Sequence, residues 1–182
     1  MVQMTFSDDL DSITLEINNC KRCRLHEGRT NTVPGVGSSK ASIVFIGEAP
    51  GKNEDEKGEP FVGRAGELLN SLLSSVGLSR DDIFITNVVK CRPPNNRNPR
   101  QDEIKTCYPF LQRQLNLIRP KVICTLGNHA TGAILGKTGI SELHGKHHEI
   151  DGQKVVPLYH PAAGLYNPNL VEEMKKDMEQ LK

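Results

Sequence analysis

Four short apolar runs, each divided from the next by an amphipathic segment, constrain this chain more than any other feature of it. They are Ile43–Ile46, Ile83–Val89, Val122–Leu126 and Val155–Tyr159. None alternates strictly between apolar and polar residues, so each reads as a strand buried on both faces. Between and around them lie helical patterns. Ser7 can cap a helix through Asn19, with Leu10, Ile13 and Ile17 on one face. Ala65–Val76 carries Leu68, Leu69, Leu72, Leu73 and Val76 as a stripe that stops at Gly77. Gln101–Ile118 repeats Ile104, Tyr108, Leu111, Leu115 and Ile118 and stops near Pro120. His129–Leu135 reads as a short helix, and Asn169–Leu181 closes with Leu170, Met174, Met178 and Leu181 inward.

Strands alternating with helices predict an α/β fold with a parallel sheet covered on both faces. The 182 residues suit one domain with a sizeable core, and no internal repeat or low-complexity linker divides them. Residues 1–182 are therefore expected to form a single domain. The loops at Asn31–Lys40 and Cys91–Pro99 are the least regular parts. In open parallel sheets, ligands bind beyond the carboxyl ends of the strands. Here those ends are Gly47–Gly51, Asn87–Cys91, Gly127–Asn128 and Tyr159–Pro161, all rich in glycine or polar residues. They are expected to form one site.

The first of these ends belongs to the stretch IVFIGEAPGKNED, which looks like a phosphate cradle. It does not meet the requirements of one. A Walker loop needs four residues between its glycines, then Lys and Ser or Thr. Gly47 and Gly51 are separated by three, and Lys52 is followed by Asn53. Glu48 at the strand end would repel phosphate, and Glu54 and Asp55 follow within a turn. Carboxylates suit water activation or hydrogen bonding to a neutral ligand.

The N-terminus, MVQMTFSDDLDS, has no basic region before an apolar stretch, so it does not read as a signal peptide. No apolar run approaches the roughly 20 residues of a membrane span. A cytoplasmic location is expected, where the five cysteines are ligands, catalysts or core rather than disulfides. Cys20-x-x-Cys23 has metal-ligand spacing. Cys91 ends the second strand, and Cys107 follows after fifteen residues on the face of Ile104 and Leu111. Four thiolates from two remote segments would suit an iron–sulfur cluster or zinc; burial in the core is the alternative for Cys91 and Cys107, and the spacing favours neither. Cys124, within VICTLG, reads as core.

His160, at the end of the fourth strand, can donate to a developing anion. Leu165 and Tyr166 beyond it read as apolar tips of the kind that enter a base stack, or as residues folded back on the core. The net charge of +1 demands no polyanionic partner, so any nucleic-acid surface must be local. Lys90, Arg92, Arg97, Arg100 and Lys105, around Pro93-Pro94-Asn95-Asn96, are the candidate phosphate-contacting patch.

Taken together, these motifs resemble family 4 uracil-DNA glycosylases, the iron–sulfur branch of that superfamily. The matching pieces are GEAPGKNEDEKGEPFVGRAG (Gly47–Gly66), ITNVVKCRPP (Ile85–Pro94), the pair Cys20/Cys23 with Cys91/Cys107, and HPA followed by NP (His160–Pro168). The resemblance implies a three-layer α/β/α fold with a central four-stranded parallel sheet. It implies a [4Fe–4S] cluster on Cys20, Cys23, Cys91 and Cys107. It implies removal of uracil from DNA by base flipping, leaving an abasic site, with uracil-containing DNA as partner, a monomeric state and no membrane. Phe61 would stack on the flipped uracil. Asn87 would bond its N3–H and O4 edge, Glu54 would exclude the thymine methyl, and the Ala49 amide would lie near the base. His160 would stabilise charge on O2, and Glu48 would position or activate the attacking water. Leu165, Tyr166, Arg92 and Arg97 would contact DNA. The family commonly shows Leu-Leu-Arg before Asn-Pro in the last loop. Here Gly164-Leu165-Tyr166 stands instead, without that arginine. Lys90–Pro99 contains no histidine, so hydrolysis is expected and not covalent capture of DNA. The rival functions are a non-catalytic iron–sulfur module, a nucleotide-binding regulator and a glycosylase of wider base range.

Overall fold

The computed structural model describes residues 8–181. Ser7, expected to cap the first helix, lies outside them. Within them Asp9 is the cap, accepting a hydrogen bond from the Ser12 N–H at 2.7 Å, and α1 spans Leu10–Asn18. The order continues with β1 (Val36–Gly37), β2 (Ile43–Gly47), α2 (Lys52–Lys57), α3 (Arg64–Ser75), β3 (Phe84–Asn87), α4 (Gln101–Ile118), β4 (Val122–Leu126), α5 (Gly127–Leu135), α6 (Ile140–Leu143), β5 (His148–Ile150), β6 (Gln153–Leu158), α7 (Pro161–Tyr166) and α8 (Leu170–Met178). Among the described residues no helix is long and apolar enough to cross a membrane.

The sheet is mixed and has six strands in the order β1-β3-β2-β4-β6-β5, where the sequence leads one to expect four parallel strands. The strands read from the apolar runs pair in parallel: β2 with β3, β2 with β4, and β4 with β6. The two additions are short and antiparallel, β1 on β3 and β5 on β6. An edge strand of two or three residues bonds on one side only, so no long apolar run announces it.

Alternation along the central strands builds two cores. Ile43 and Phe45 face Leu69, Leu72 and Leu73 of α3 and Met174 and Met178 of α8. Val44 and Ile46 face the other way, towards Leu111 and Ile118 of α4 and Ile134 of α5. A third cluster packs Ile13 and Ile17 of α1 on Phe110 of α4. Arg113 of α4 also forks onto Asp8 and Glu16, each at 2.6 Å. These contacts bring the chain after α1, with its cysteine pair, alongside Cys107.

The connection from β2 leads to β3 on one side of it, and that from β4 leads to β6 on the other. The crevice between the carboxyl ends of β2 and β4 is thus the topological switch point, where open α/β sheets place their ligands.

Candidate active site

A cleft of about 950 Å³ opens at this switch point. Glu48, Ala49, Glu54, Phe61, Asn87 and His160 all line it, although they come from loops and strand ends far apart in the chain. The four strand ends do converge.

Asn87 ends β3 directly opposite Gly47 of β2 and is only 2% exposed. A Cβ on Gly47 would stand 2.5 Å from the Asn87 Oδ1 and 2.9 Å from the Phe61 ring, so glycine is what lets these two side chains approach. Among the described residues no hydrogen-bond partner engages the Asn87 side-chain amide. A buried amide on a cleft wall is complementary to a ligand with one donor and one acceptor side by side.

Phe61 adopts φ 51°, unusual for an aromatic residue. Its surroundings hold it there. Arg80 donates to the Pro60 carbonyl at 3.1 Å and the Phe61 carbonyl at 2.5 Å. Glu54 accepts from the Gly51 N–H at 3.0 Å and from the Val62 N–H at 3.2 Å, tying the glycine turn to the Phe61 segment. Gly66 at the start of α3 allows the Phe61 backbone to pass, since a Cβ there would overlap its carbonyl.

His160 caps α7. Its Nδ1 accepts from the Ala162 N–H at 3.0 Å, so in the neutral ring the proton resides on Nε2. Burial lowers the imidazole pKa, against the opposing pull of the Glu54 carboxylate, and so favours that neutral form. Gly127 (φ 88°) at the end of β4 lets the His160 side chain in, as a Cβ there would sit 3.2 Å from the His160 Cβ.

Glu48 continues the sheet pairing past β2, its carbonyl accepting from the Val89 N–H at 3.1 Å. Burial raises the pKa of its carboxyl, while His129 of α5 lowers it. The His129 Nε2 stands 3.7 Å from the Glu48 Oε2 and 3.3 Å from the Asn98 Nδ2. The sequence offers no sign of His129, Asn98 or Arg80 as members of the site. Each is brought to the site by a contact with a residue remote in the chain.

The basic patch is smaller than its composition suggests. Lys90 is not part of it: the side chain is 1% exposed, and its Nζ donates to the Thr86 Oγ1, the Asn87 carbonyl and the Gln114 Oε1. Arg97 lines the cleft but forks onto the fully buried Glu103 at 2.7 and 2.8 Å. That fork, with the Arg100 N–H, holds Glu103 down at about 2. Arg92 is half-buried, its Nε on the Asn96 Oδ1 at 2.7 Å. At the other rim Tyr166 is 91% exposed and lines the cleft, whereas Leu165 is half-buried on α7.

Cys20, Cys23, Cys91 and Cys107 line one small cavity on the α1–α4 side, and Cys124 is a core residue with no exposure. All are free thiols. No three histidine, cysteine or carboxylate side chains among the described residues close around a point as a single metal ion needs. The cavity lining holds no carboxylate but two guanidinium groups, Arg22 and Arg29, and the buried Lys90, whose pKa burial lowers to about 7. Arg29 reaches the Cys91 Sγ at 3.3 Å and the Cys20 carbonyl at 2.7 Å. Burial raises the thiols of Cys23, Cys91 and Cys107, the last to about 11. Soft sulfur donors in a positively lined hollow fit a wide, net-negative iron–sulfur group.

A family model described as Uracil DNA glycosylase superfamily matches residues 34–182. The chain belongs to the uracil-DNA glycosylase superfamily. It is 52% identical over 183 residues to the type-4 uracil-DNA glycosylase of Archaeoglobus fulgidus, covering 96% of this chain and 92% of the relative. It is 50% identical over 185 residues to the type-4 enzyme of Sulfurisphaera tokodaii, covering 96% and 84%. To the type-5 uracil-DNA glycosylase of Pyrobaculum aerophilum it is 31% identical over 186 residues, covering 84% and 82%. Within the superfamily the chain stands with the type-4 branch.

Proposed function

We propose that this protein removes uracil from single- or double-stranded DNA by hydrolysing the N-glycosidic bond of a flipped-out deoxyuridine. The products are free uracil and an abasic site, the first step of base excision repair. One observation carries the reading: an aromatic face, an unengaged amide, a neutral imidazole and a half-buried carboxylate share one cleft.

Phe61 takes the face of the everted base. Stacking of this kind is worth about 1–3 kcal/mol, against a flipping cost of a few kcal/mol. Asn87 accepts from uracil N3–H and donates to O4. Cytosine presents the opposite pattern and is refused, because its amide partners are then left mismatched. Glu54, braced by two backbone amides, fills the space beside C5 and excludes the thymine methyl. The Ala49 amide lies near the base. As the C1′–N1 bond breaks, its electron pair passes to the uracil ring. The His160 Nε2–H donates to O2, where that charge collects. Glu48 holds water at C1′ and takes its proton as the sugar cation is captured. The exposed Tyr166, with Leu165 behind it, fills the gap left in the stack, and Arg92 offers phosphate contact. Arg97 contributes to that contact only what Glu103 leaves free.

Cys20, Cys23, Cys91 and Cys107 would hold a [4Fe–4S] cluster. When bound, the cluster supplies a covalent link between the segment after α1, the loop after β3 and α4. The same reading makes the protein a single-domain cytoplasmic monomer acting at the nucleoid.

The test is incubation with uracil-containing single strands and duplexes, then alkaline scoring of abasic sites, with cytosine and thymine strands as controls. Strand breaks confined to uracil positions are expected. Tight DNA binding without breaks would replace this reading by a non-catalytic module.

A further inference from the structure

The cations of the basic stretch after β3 are largely engaged within the protein. Lys90 is buried, Arg97 forks onto Glu103, and Arg92 bonds Asn96 and does not line the cleft. Two other cations do line it. Lys52 opens α2 and Arg64 opens α3, and both are exposed. Among the described residues neither side chain has an ion-pair or hydrogen-bond partner, although Glu67 stands in the first turn of α3. The acids in the first turn of α2 are held elsewhere. Glu54 accepts from the Gly51 and Val62 amides, and Asp55 from those of Thr30 and Asn31.

The fold sets both cations on one wall of the cleft. The start of α2 adjoins the start of α3, since a Cβ on Gly63 would stand 2.9 Å from the Asn53 Nδ2. Helix α7 packs on α3, where a Cβ on Gly164 would stand 2.8 Å from the Leu68 Cδ2. It brings the exposed Tyr166 to the same rim. Helices α4 and α5 pack on the other face of the sheet. On that side Arg97 is closed on Glu103, and His129 faces Glu48 and Asn98. A polyanion at the cleft therefore meets unpaired cations on the α3–α7 wall. The carboxylates of Glu48 and Glu54 line the cleft and repel phosphate. A strand that inserts a base there must leave its backbone at the rim.

We propose that Lys52 and Arg64 are the phosphate-binding rim of the cleft, holding the DNA backbone along the α3 side, next to Tyr166, while the base turns inward. This rests on the reading of the chain as an enzyme acting on DNA. It moves the main backbone contact from the stretch after β3 to the starts of α2 and α3. Phosphate contacts position a strand and read no sequence, so this one is made with or without uracil.

The experiment compares the full chain as wild type, Lys52→Gln, Arg64→Gln, the double variant and Lys57→Gln. The last removes the same charge from the final turn of α2, off the cleft. Affinity for a fluorescein-labelled, uracil-free single strand is read by anisotropy over a series of KCl concentrations. Single-turnover excision from the matching uracil strand is read at saturating protein. Each cleft variant should flatten the slope of log affinity against log salt by about 0.7, and the double variant by about 1.4, the counterion release of one and two phosphates on a single strand. Lys57→Gln should keep the wild-type slope, and excision at saturation should stay close to wild type in every variant. Wild-type slopes in Lys52→Gln and Arg64→Gln, or an equal change in Lys57→Gln, would overturn the proposal. Wild type that binds with these slopes yet releases no uracil would sink the glycosylase reading and leave the rim standing.

Discussion

The ring of Phe61 and the imidazole of His160 stand 5.6 Å apart between centroids, tilted by 35°. Phe61 is held by Arg80 and Glu54, and His160 by the first turn of α7. Two independent supports thus set the proposed stacking face and the proposed proton donor against each other. A flat base lying on one presents an edge to the other.

Phe61→Leu retains bulk and loses the aromatic face. The KM for uracil-containing DNA should rise about 5- to 150-fold, matching a stacking loss of about 1–3 kcal/mol. Steady-state kinetics on a single-stranded substrate would measure it. An unchanged KM would remove Phe61 from the base site.

His160→Ala should lower the single-turnover rate about 100- to 1,000-fold, the usual loss on removing a donor to a developing anion. DNA binding should stay within a few-fold, since Nε2 acts on charge that appears only as the bond breaks. Equal losses of rate and binding would count against an anion role.

The acid side of the pH–rate profile reports on Glu48. Burial lifts the pKa of its carboxyl and His129 pulls it down. In the proposed mechanism only the ionised form takes a proton from water, so activity should fall as pH drops through that raised value. His129→Gln leaves burial unopposed, and the acid limb should move to higher pH. A limb that stays in place would separate His129 from the reaction.

Gly47→Ala tests the close approach of Asn87 and Phe61. The added methyl would stand 2.5 Å from the Asn87 Oδ1 and 2.9 Å from Phe61, so both must shift. Overpacking of this kind costs about 1–3 kcal/mol. Because the displaced groups are those proposed to hold the base, uracil excision should fall further than the Tm change explains. Wild-type excision rates would show that the cleft tolerates a wider spacing.

Glu103 is fully buried and forked by Arg97, and its folded pKa is about 2 against an ordinary value of 4.5. A depressed carboxyl contributes stability above its unfolded pKa and loses it as pH falls towards the folded one. Glu103→Gln should therefore destabilise the protein by about 3 kcal/mol at neutral pH. The gap between wild type and variant should close between about pH 4.5 and pH 2. Denaturant unfolding at several pH values would measure it, and a gap independent of pH would assign the loss to packing.

Much of the fold was legible in the chain. Val122–Leu126 and Gln101–Ile118 run between the residues that their apolar patterns mark out. Burial on both faces requires an unbroken apolar run, and burial on one helical face a period near four, so both leave a local trace. Val36–Gly37 and His148–Ile150 left none, because their pairing rests on backbone bonds along one edge. Glu48, Glu54, Asn87 and His160 stand out in the sequence as polar residues at or just beyond strand ends, whereas Phe61 and Ala49 are marked only by the family resemblance; the fold lines one cleft with all six. His129 and Arg80 are marked by neither, being recruited by contacts that no spacing encodes.

The basic stretch after β3 marks the boundary between the two kinds of information. Sequence alone determined that Lys90, Arg92 and Arg97 follow a buried strand as a run of cations. Tertiary structure decided that Lys90 turns inward to Thr86 and Gln114, that Arg97 closes on Glu103, and that Arg92 stays at the rim. The physical reason is that a strand or helix follows from the periodicity of neighbouring residues. The fate of a charge depends on which distant dipoles and acids the finished fold brings within about 3 Å of it.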